Sequence, residues 1–155
     1  MANSMRYRLK IATVSVARES GPQPLPAPVA TPAAAKQIAR HLVRLSDDDQ
    51  EHFWIINLDS KLRMLSHSPI STGTESACLV SPAVVFRHAI LAGAVSIILV
   101  HNHPSGDTTP SREDISLTRE LVACSKILHV PIQDHIIVGN GSLQAISLSE
   151  LGEVS

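Results

Sequence analysis

Two histidines follow a very apolar run of the chain. Residues 95–100 have the short length and the β-branched content of a buried strand, and His101 and His103 come directly after them. Side chains two residues apart point to the same face of a strand, so the two imidazoles can reach one metal ion. The spacing predicts a metal site where a core strand reaches the protein surface.

A hydroxyl and a carboxylate follow the histidines. Residues 104–110 are rich in turn formers, and a helical pattern of apolar residues begins after Pro110. This pattern places Ser111 at the N-cap and Asp114 in the first turn, from where its carboxylate can reach back to the histidines. Two neutral imidazoles and one carboxylate form the ligand set of a catalytic zinc ion with water at the fourth position. Metals that prefer sulfur usually recruit thiolates, and none stands near this motif.

A purely structural interpretation of the same residues has to be weighed. Ser111 and Asp114 fit the pattern S-x-x-D, which is close to a capping box and explains both residues without a metal. A single histidine near a strand end is also usually a hydrogen-bonded structural residue. A histidine pair at strand spacing, a loop of seven residues, and then Ser and Asp at capping spacing rarely coincide by chance. The combination favours the functional interpretation.

These residues fit H-x-H-x7-S-x2-D, and the chain resembles the JAMM (MPN-plus, or JAB) metalloprotease superfamily. The stretch of residues 101–107 is similar to the RadC branch of that superfamily, as are residues 51–59, 81–90 and 134–139. The similarity runs from about Tyr7 to Leu148 and so covers nearly the whole chain. It implies a JAB/MPN fold, which is related to the cytidine-deaminase-like fold.

The resemblance also implies a role for each site residue. His101, His103 and Asp114 would bind zinc, and Ser111 would donate a hydrogen bond to the oxyanion. The family needs a glutamate before the first central strand as general acid/base, and Glu51 stands at the matching position. The neighbouring acidic run, residues 47–49, matches nothing in the family pattern and is by default a solvated helix end or turn. The implied reaction is amide or isopeptide hydrolysis by a zinc-activated water.

Length and composition bound the rest of the interpretation. A chain of 155 residues with 44% hydrophobic residues is typical of one compact domain. The formal net charge of −1 gives no general attraction to nucleic acid. Cys78 and Cys124 stand far apart and are expected to be buried or half-buried thiols of a reducing compartment, with a bridge between them as the alternative. We see no signal peptide and no run long enough for a membrane span, so we expect a cytoplasmic protein.

The order of predicted elements is typical of an α+β protein, a mixed α/β sandwich around a β-sheet. We expect residues 1–20 to form an N-terminal strand segment, because polar and apolar residues alternate over residues 7–16. Residues 21–30 are expected to form a proline-rich linker, and residues 31–150 the RadC-like catalytic domain. In that domain we expect a helix from Thr31, a hairpin of residues 53–58 and 62–66, and a helix after Ser81 that extends through Leu91. The motif strand, a long helix, and two strands divided at residues 139–141 follow.

Three further residues have more than one interpretation. His135 could form a hydrogen bond behind the site, although a satisfied core histidine is the commoner case. Asn102 should point away from the ligand face, with a role confined to shaping the loop. Gly73 resembles part of the family's substrate-side edge, where bare backbone could accept a peptide as an added strand, but a simple turn explains it equally well. The histidines at positions 41, 52, 67, 88 and 129 have no ligand spacing.

Other functional classes leave recognisable patterns. Zinc deaminases use H-x-E with P-C-x-x-C, whereas His103 and the absence of paired cysteines in this sequence argue against deamination. RadC proteins carry an association with DNA repair, so a nuclease or accessory factor acting on or near nucleic acid is one alternative. A non-catalytic scaffold of the MPN class is another, although the chain keeps every expected ligand type. The expected partner is a peptide or protein amide substrate.

Overall fold

A computed structural model of the chain describes residues 27–46, 50–73, 80–141 and 143–154. The described elements follow in the order α1 (Pro32–Ser46), β1 (Glu51–Leu58), β2 (Met64–Gly73), α2 (Pro82–Leu91), β3 (Ser96–His103), α3 (Arg112–Leu128), β4 (Ile132–Gly139) and β5 (Ala145–Ser147). This mixture confirms the predicted α+β class. The strand predicted over residues 7–16, most of the proline-rich linker, and Cys78 lie outside the described residues, and the domain boundaries stay predictions.

The five strands form one sheet in the order β2-β1-β3-β4-β5. β1 is antiparallel to β2 and β3, β4 is parallel to β3, and β5 is antiparallel to β4. Parallel neighbours need a crossover connection, and α3 supplies it between β3 and β4. The first turn of α3 therefore begins next to the edge of the sheet where β3 ends with His101 and His103.

Helices cover both faces of the sheet. Alternate residues of β1 point into two separate cores: Trp54 and Ile56 pack in the core below α1, whereas Phe53 and Ile55 pack in the core below α2 and α3. β3 divides in the same way and is buried along almost its whole length. Burial on both faces explains why its sequence is a continuous apolar run instead of an alternating one. The predicted sandwich is confirmed.

Two of the three predicted helix caps form side-chain hydrogen bonds. Oγ1 of Thr31 accepts from the backbone N–H of Ala34 at 3.2 Å, and Ser111 caps α3. Ser81 precedes α2 as predicted, but its side chain makes no capping bond. No helix in the described ranges combines the length and the apolar character needed to traverse a bilayer.

The second strand of the hairpin is longer than the sequence predicts. We expected residues 62–66, whereas β2 extends from Met64 to Gly73 and passes through Pro69. The start is displaced because Oδ1 of Asp59 accepts from the backbone N–H groups of Lys61 and Arg63, which widens the turn. The strand continues because β2 lies at the sheet edge, where a proline and polar residues are tolerated.

A close backbone contact closes the loop that follows His103. Gly106 has φ +83° and its N–H donates to the carbonyl of His103 at 3.0 Å. Gly139, at the end of β4, lies against Gly106 so closely that a Cβ there would be 2.8 Å from the carbonyl carbon of Gly106. The loop that follows His103 is therefore packed backbone to backbone against the end of β4.

This contact predicts that Gly139→Ala displaces the loop. The new methyl group would meet backbone atoms that have no side chain to rotate away, so we expect a loss of about 1–3 kcal/mol in the free energy of unfolding. Gly141→Ala is the matched control, because Gly141 has φ +73° but an open surrounding. It should cost about 1–2 kcal/mol from backbone strain alone. Amide NMR shifts of residues 103 and 105–107 should change only in Gly139→Ala; equal changes in both variants would contradict the prediction.

Candidate metal centre

The three predicted ligands converge on one point. Nε2 of His101 lies 2.9 Å from Nε2 of His103. Oδ1 of Asp114 lies 3.2 Å from Nε2 of His101, and Oδ2 lies 3.4 Å from Nε2 of His103. One donor atom from each residue falls within 4.8 Å of the other two. The end of β3 and the first turn of α3 thus build a group that can hold a metal ion.

The hydrogen bonds around His103 make this donor set suitable for a cation. Nδ1 of His103 lies 2.6 Å from the carbonyl oxygen of Asp107, which can only accept, so Nδ1 carries a hydrogen. A neutral His103 then directs the lone pair of its Nε2 at His101 and Asp114. A proton on His103 or a cation among the three donors removes this conflict, and two nitrogens with one carboxylate oxygen suit a zinc-like ion.

The charges of the site act on each other in the metal-free protein. The hydrogen bond to Asp114 raises the pKa of His103, against the opposing effect of burial, and the Asp107 carbonyl and the charge of Glu51 add to the rise. Burial alone would raise the pKa of Asp114, but the neighbouring imidazoles of His101 and His103 outweigh burial and hold that pKa well below its usual value. A positive charge at the centre is therefore favourable.

The capping box predicted by the structural alternative also forms. Oγ of Ser111 accepts from the backbone N–H of Asp114 at 3.0 Å, and Oδ2 of Asp114 accepts from the backbone N–H of Ser111 at 2.7 Å. The cap holds one carboxylate oxygen and leaves Oδ1 facing His101. Because Ser111 acts as an acceptor in the cap, its hydroxyl hydrogen remains available to a ligand. The structural and functional interpretations are thus compatible.

Glu51 lies on the same side of the sheet as the ligands. Phe53 pairs with His101 in the antiparallel register of β1 and β3, and Glu51, two residues before Phe53 in β1, shares its face of the strand. Directly opposite residues share a face, and the rings of Phe53 and His101 stack accordingly at 5.9 Å. Glu51 also pairs with Gly73 of β2, which is therefore part of a strand and not the turn that the sequence allowed.

Asn102 does more than the predicted shaping of the loop. It points away from the ligands as expected and is fully buried. Its Nδ2 donates to the carbonyl of Gln50 at 2.9 Å and to Oδ1 of Asn140 at 2.9 Å, and its Oδ1 accepts from the N–H of His52 at 2.8 Å. The two backbone groups that it binds are those on either side of Glu51. The only signal in the sequence was an amide inside an apolar strand, because a buried amide needs partners.

His135 contacts the ligand set directly. It is fully buried, and its Nε2 lies 2.8 Å from Nδ1 of His101. Burial lowers the pKa of His135 well below its ordinary value, so the ring is neutral. The sequence had left a core role and a role behind the site open. None of the five other histidines at described positions belongs to the ligand group.

The pKa shifts predict how pH changes the stability of the metal-free protein. The raised pKa of His103 gives stabilisation that is complete below pH 6.5 and is lost as pH rises through the folded-state pKa. The lowered pKa of Asp114 gives stabilisation that is complete above pH 3.8 and is lost as pH falls through the folded-state pKa. Both contributions are complete only between these two values.

Chelator-treated wild type should therefore exceed Asp114→Asn in unfolding free energy most clearly near pH 5.5. We expect a difference of about 1–3 kcal/mol there, typical of a hydrogen bond between charged groups. Urea titrations of both proteins at several pH values measure it. A difference that stays constant from about pH 5 to pH 9 would show that the His103–Asp114 pair does not stabilise the fold in this way.

Comparison with known proteins identifies the family. The family model of the RadC-like JAB domain matches residues 29–153. A UPF0758 protein of Trichormus variabilis is 43% identical over 123 residues, which cover 79% of this chain and 48% of the relative. A UPF0758 protein of Methanosarcina acetivorans is 43% identical over 72% of this chain and 48% of its own length. A UPF0758 protein of Caldanaerobacter subterraneus is 47% identical over 66% of this chain and 43% of its own length.

The chain spans about half the length of the curated relatives it matches. The matched region begins before α1, ends after β5, and contains the three converging ligands together with Glu51 and Ser111. The resemblance noted in the sequence is thereby confirmed: the chain belongs to the RadC-like JAB domain family.

Proposed function

We propose that this chain is a zinc-dependent hydrolase that cleaves peptide or isopeptide amide bonds. The convergence of His101, His103 and Asp114 within 4.8 Å is the observation that supports the proposal most strongly. Three protein ligands leave a fourth position for water, as in catalytic rather than structural zinc sites. When bound, zinc lowers the pKa of its water from about 15.7 to about 7.

The residues around the ligands have complementary roles in this proposal. Glu51, on the ligand face of the sheet, accepts a proton from the attacking water and later passes it to the leaving amine. Ser111 donates its hydroxyl hydrogen to the carbonyl oxygen of the substrate as negative charge develops there. In comparable sites one such donor contributes roughly 3 kcal/mol to transition-state stabilisation.

The sheet edge supports an extended peptide as the substrate. β2 lies at the edge of the sheet, and among the described residues only Pro28 makes a bridge near its start. Its far end, at Gly73, pairs with Glu51. A peptide added to this edge as a further strand would bring its backbone amides towards the end of the sheet that carries the ligands.

Two substitutions separate metal binding from hydrolysis. Glu51→Gln should keep stoichiometric zinc and lose about 10²–10⁴-fold in turnover, because it removes the proton acceptor and no ligand. His103→Ala should lose both zinc and turnover, because it removes a ligand. Zinc content by elemental analysis and cleavage of a peptide and isopeptide library by mass spectrometry measure the two quantities.

The wild type treated with chelator and then reloaded with zinc is the control. Library cleavage that persists in Glu51→Gln would remove Glu51 from the mechanism. Zinc-dependent cleavage of single-stranded DNA, with binding that weakens as salt is added, would favour a nuclease over a peptidase as the function.

Asn102 should support turnover without binding the metal. Asn102→Ala removes the bonds that fix the backbone on either side of Glu51, so we expect turnover to fall about 10–100-fold with zinc retained. Asn57→Ala is the matched control, since Asn57 is a buried amide of β1 that bonds Ser66 and Ser68, far along the strand from Glu51. If both variants lose stability but neither loses turnover, Asn102 has no role in positioning Glu51.

A further inference from the structure

A chain of hydrogen bonds leads from one ligand through the buried core. Nδ1 of His101 lies 2.8 Å from Nε2 of His135, and Nδ1 of His135 lies 2.7 Å from Oγ1 of Thr118. Oγ1 of Thr118 lies in turn 2.6 Å from the backbone carbonyl oxygen of Asp114. His135 and Thr118 are both fully buried. The chain thus begins at the ring of one ligand and ends at the backbone of another.

The last member of this chain fixes the direction of every bond in it. A carbonyl oxygen can only accept, and two oxygens 2.6 Å apart need a hydrogen between them, so Thr118 donates to Asp114. The hydroxyl has one hydrogen and must therefore accept from Nδ1–H of His135. Burial disfavours a charged ring, so Nε2 of His135 has a lone pair and accepts from Nδ1–H of His101. A neutral His101 then carries no hydrogen on Nε2.

We propose that His135 and Thr118 are positioning residues for the metal centre: they hold the hydrogen of His101 on Nδ1 and so keep its Nε2 open to the metal. The functional meaning of this inference rests on the proposed zinc site, but the position of the hydrogen can be measured without any metal.

The carboxylate of Asp114 favours the opposite tautomer of His101. Oδ1 of Asp114 lies 3.2 Å from Nε2 of His101 and would accept a hydrogen from it in the other tautomer. That tautomer would block the nitrogen that has to bind the metal. The chain through His135 opposes it, since Nδ1 of His101 already has an acceptor in the core. The ring of Phe53, stacked on His101 and edge-on to His135, limits rotation of both rings.

Thr118→Val and Thr118→Ser test the chain while keeping both histidines. Valine has nearly the shape of threonine but cannot accept from His135, so the hydrogen of His135 should move to Nε2 and force the hydrogen of His101 from Nδ1 to Nε2. Serine keeps the hydroxyl and should behave as the wild type. Long-range ¹⁵N–¹H NMR spectra of the chelator-treated proteins show which ring nitrogen of His101 is protonated.

The zinc dissociation constant gives a second measure of the same effect. Thr118→Val should bind zinc about 10–100-fold more weakly than wild type in competition with a chromophoric chelator, as is typical when a partner of a ligating histidine is lost. Thr118→Ser should keep wild-type affinity. Ile136→Val, on β4 but in the opposite core, is the control for a general loss of packing and should leave the affinity unchanged.

A second pair of variants covers the case in which Thr118→Val does not fold. His135→Gln keeps an acceptor near Nδ1 of His101 and should preserve its tautomer, whereas His135→Leu should not. The inference is overturned if folded Thr118→Val or His135→Leu keeps the hydrogen on Nδ1 and the zinc affinity of wild type. A wild type that binds no zinc would defeat the proposed function, and the tautomer comparison would still decide the inference.

Discussion

The site depends on one carboxylate that serves two elements at once. Oδ2 of Asp114 accepts from the backbone of Ser111 and completes the cap of α3, while Oδ1 faces the ring of His101 at the end of β3. The backbone carbonyl of the same residue accepts from Thr118. The position of a helix start is constrained because its first N–H groups need acceptors. The ligand geometry is therefore tied to the start of a 17-residue helix and not to a loose loop.

The side chains at the end of β3 point alternately to the two faces of the sheet and make different contacts on each face. His101 and His103 point to the side of α3 and supply two of the three candidate metal ligands, whereas Asn102 between them points to the opposite side and binds the backbone around Glu51. The alternation of a strand makes both possible within three residues. Burial of Asn102 is tolerated because both atoms of its amide group find partners of matching donor or acceptor character.

Local patterns in the sequence predicted most of the site, and long-range contacts account for what was missed. The spacing of the histidines, the helix start at Ser111 and the apolar run of β3 are properties of short segments, and all three were confirmed. Contact between His135 and His101 depends instead on the parallel register that sets Leu99 beside His135, which no local pattern reveals. The extension of β2 and the bonds of Asn102 likewise arise from neighbours that are distant in sequence. The metal-binding roles of His101, His103 and Asp114 stay predictions, as do the catalytic roles of Glu51 and Ser111.

A capping box alone does not account for this arrangement. The cap needs Ser111 and one oxygen of Asp114, and it would form equally well beside an apolar strand end. It gives no reason to bury His101 against a second imidazole 2.9 Å away, with a carboxylate facing both. Without a positive charge among them, these lone pairs repel one another at a site where His101 is buried and the other two side chains are only partly exposed. An apolar residue at either histidine position would avoid that cost, whereas a proton on His103 or a bound cation would remove it.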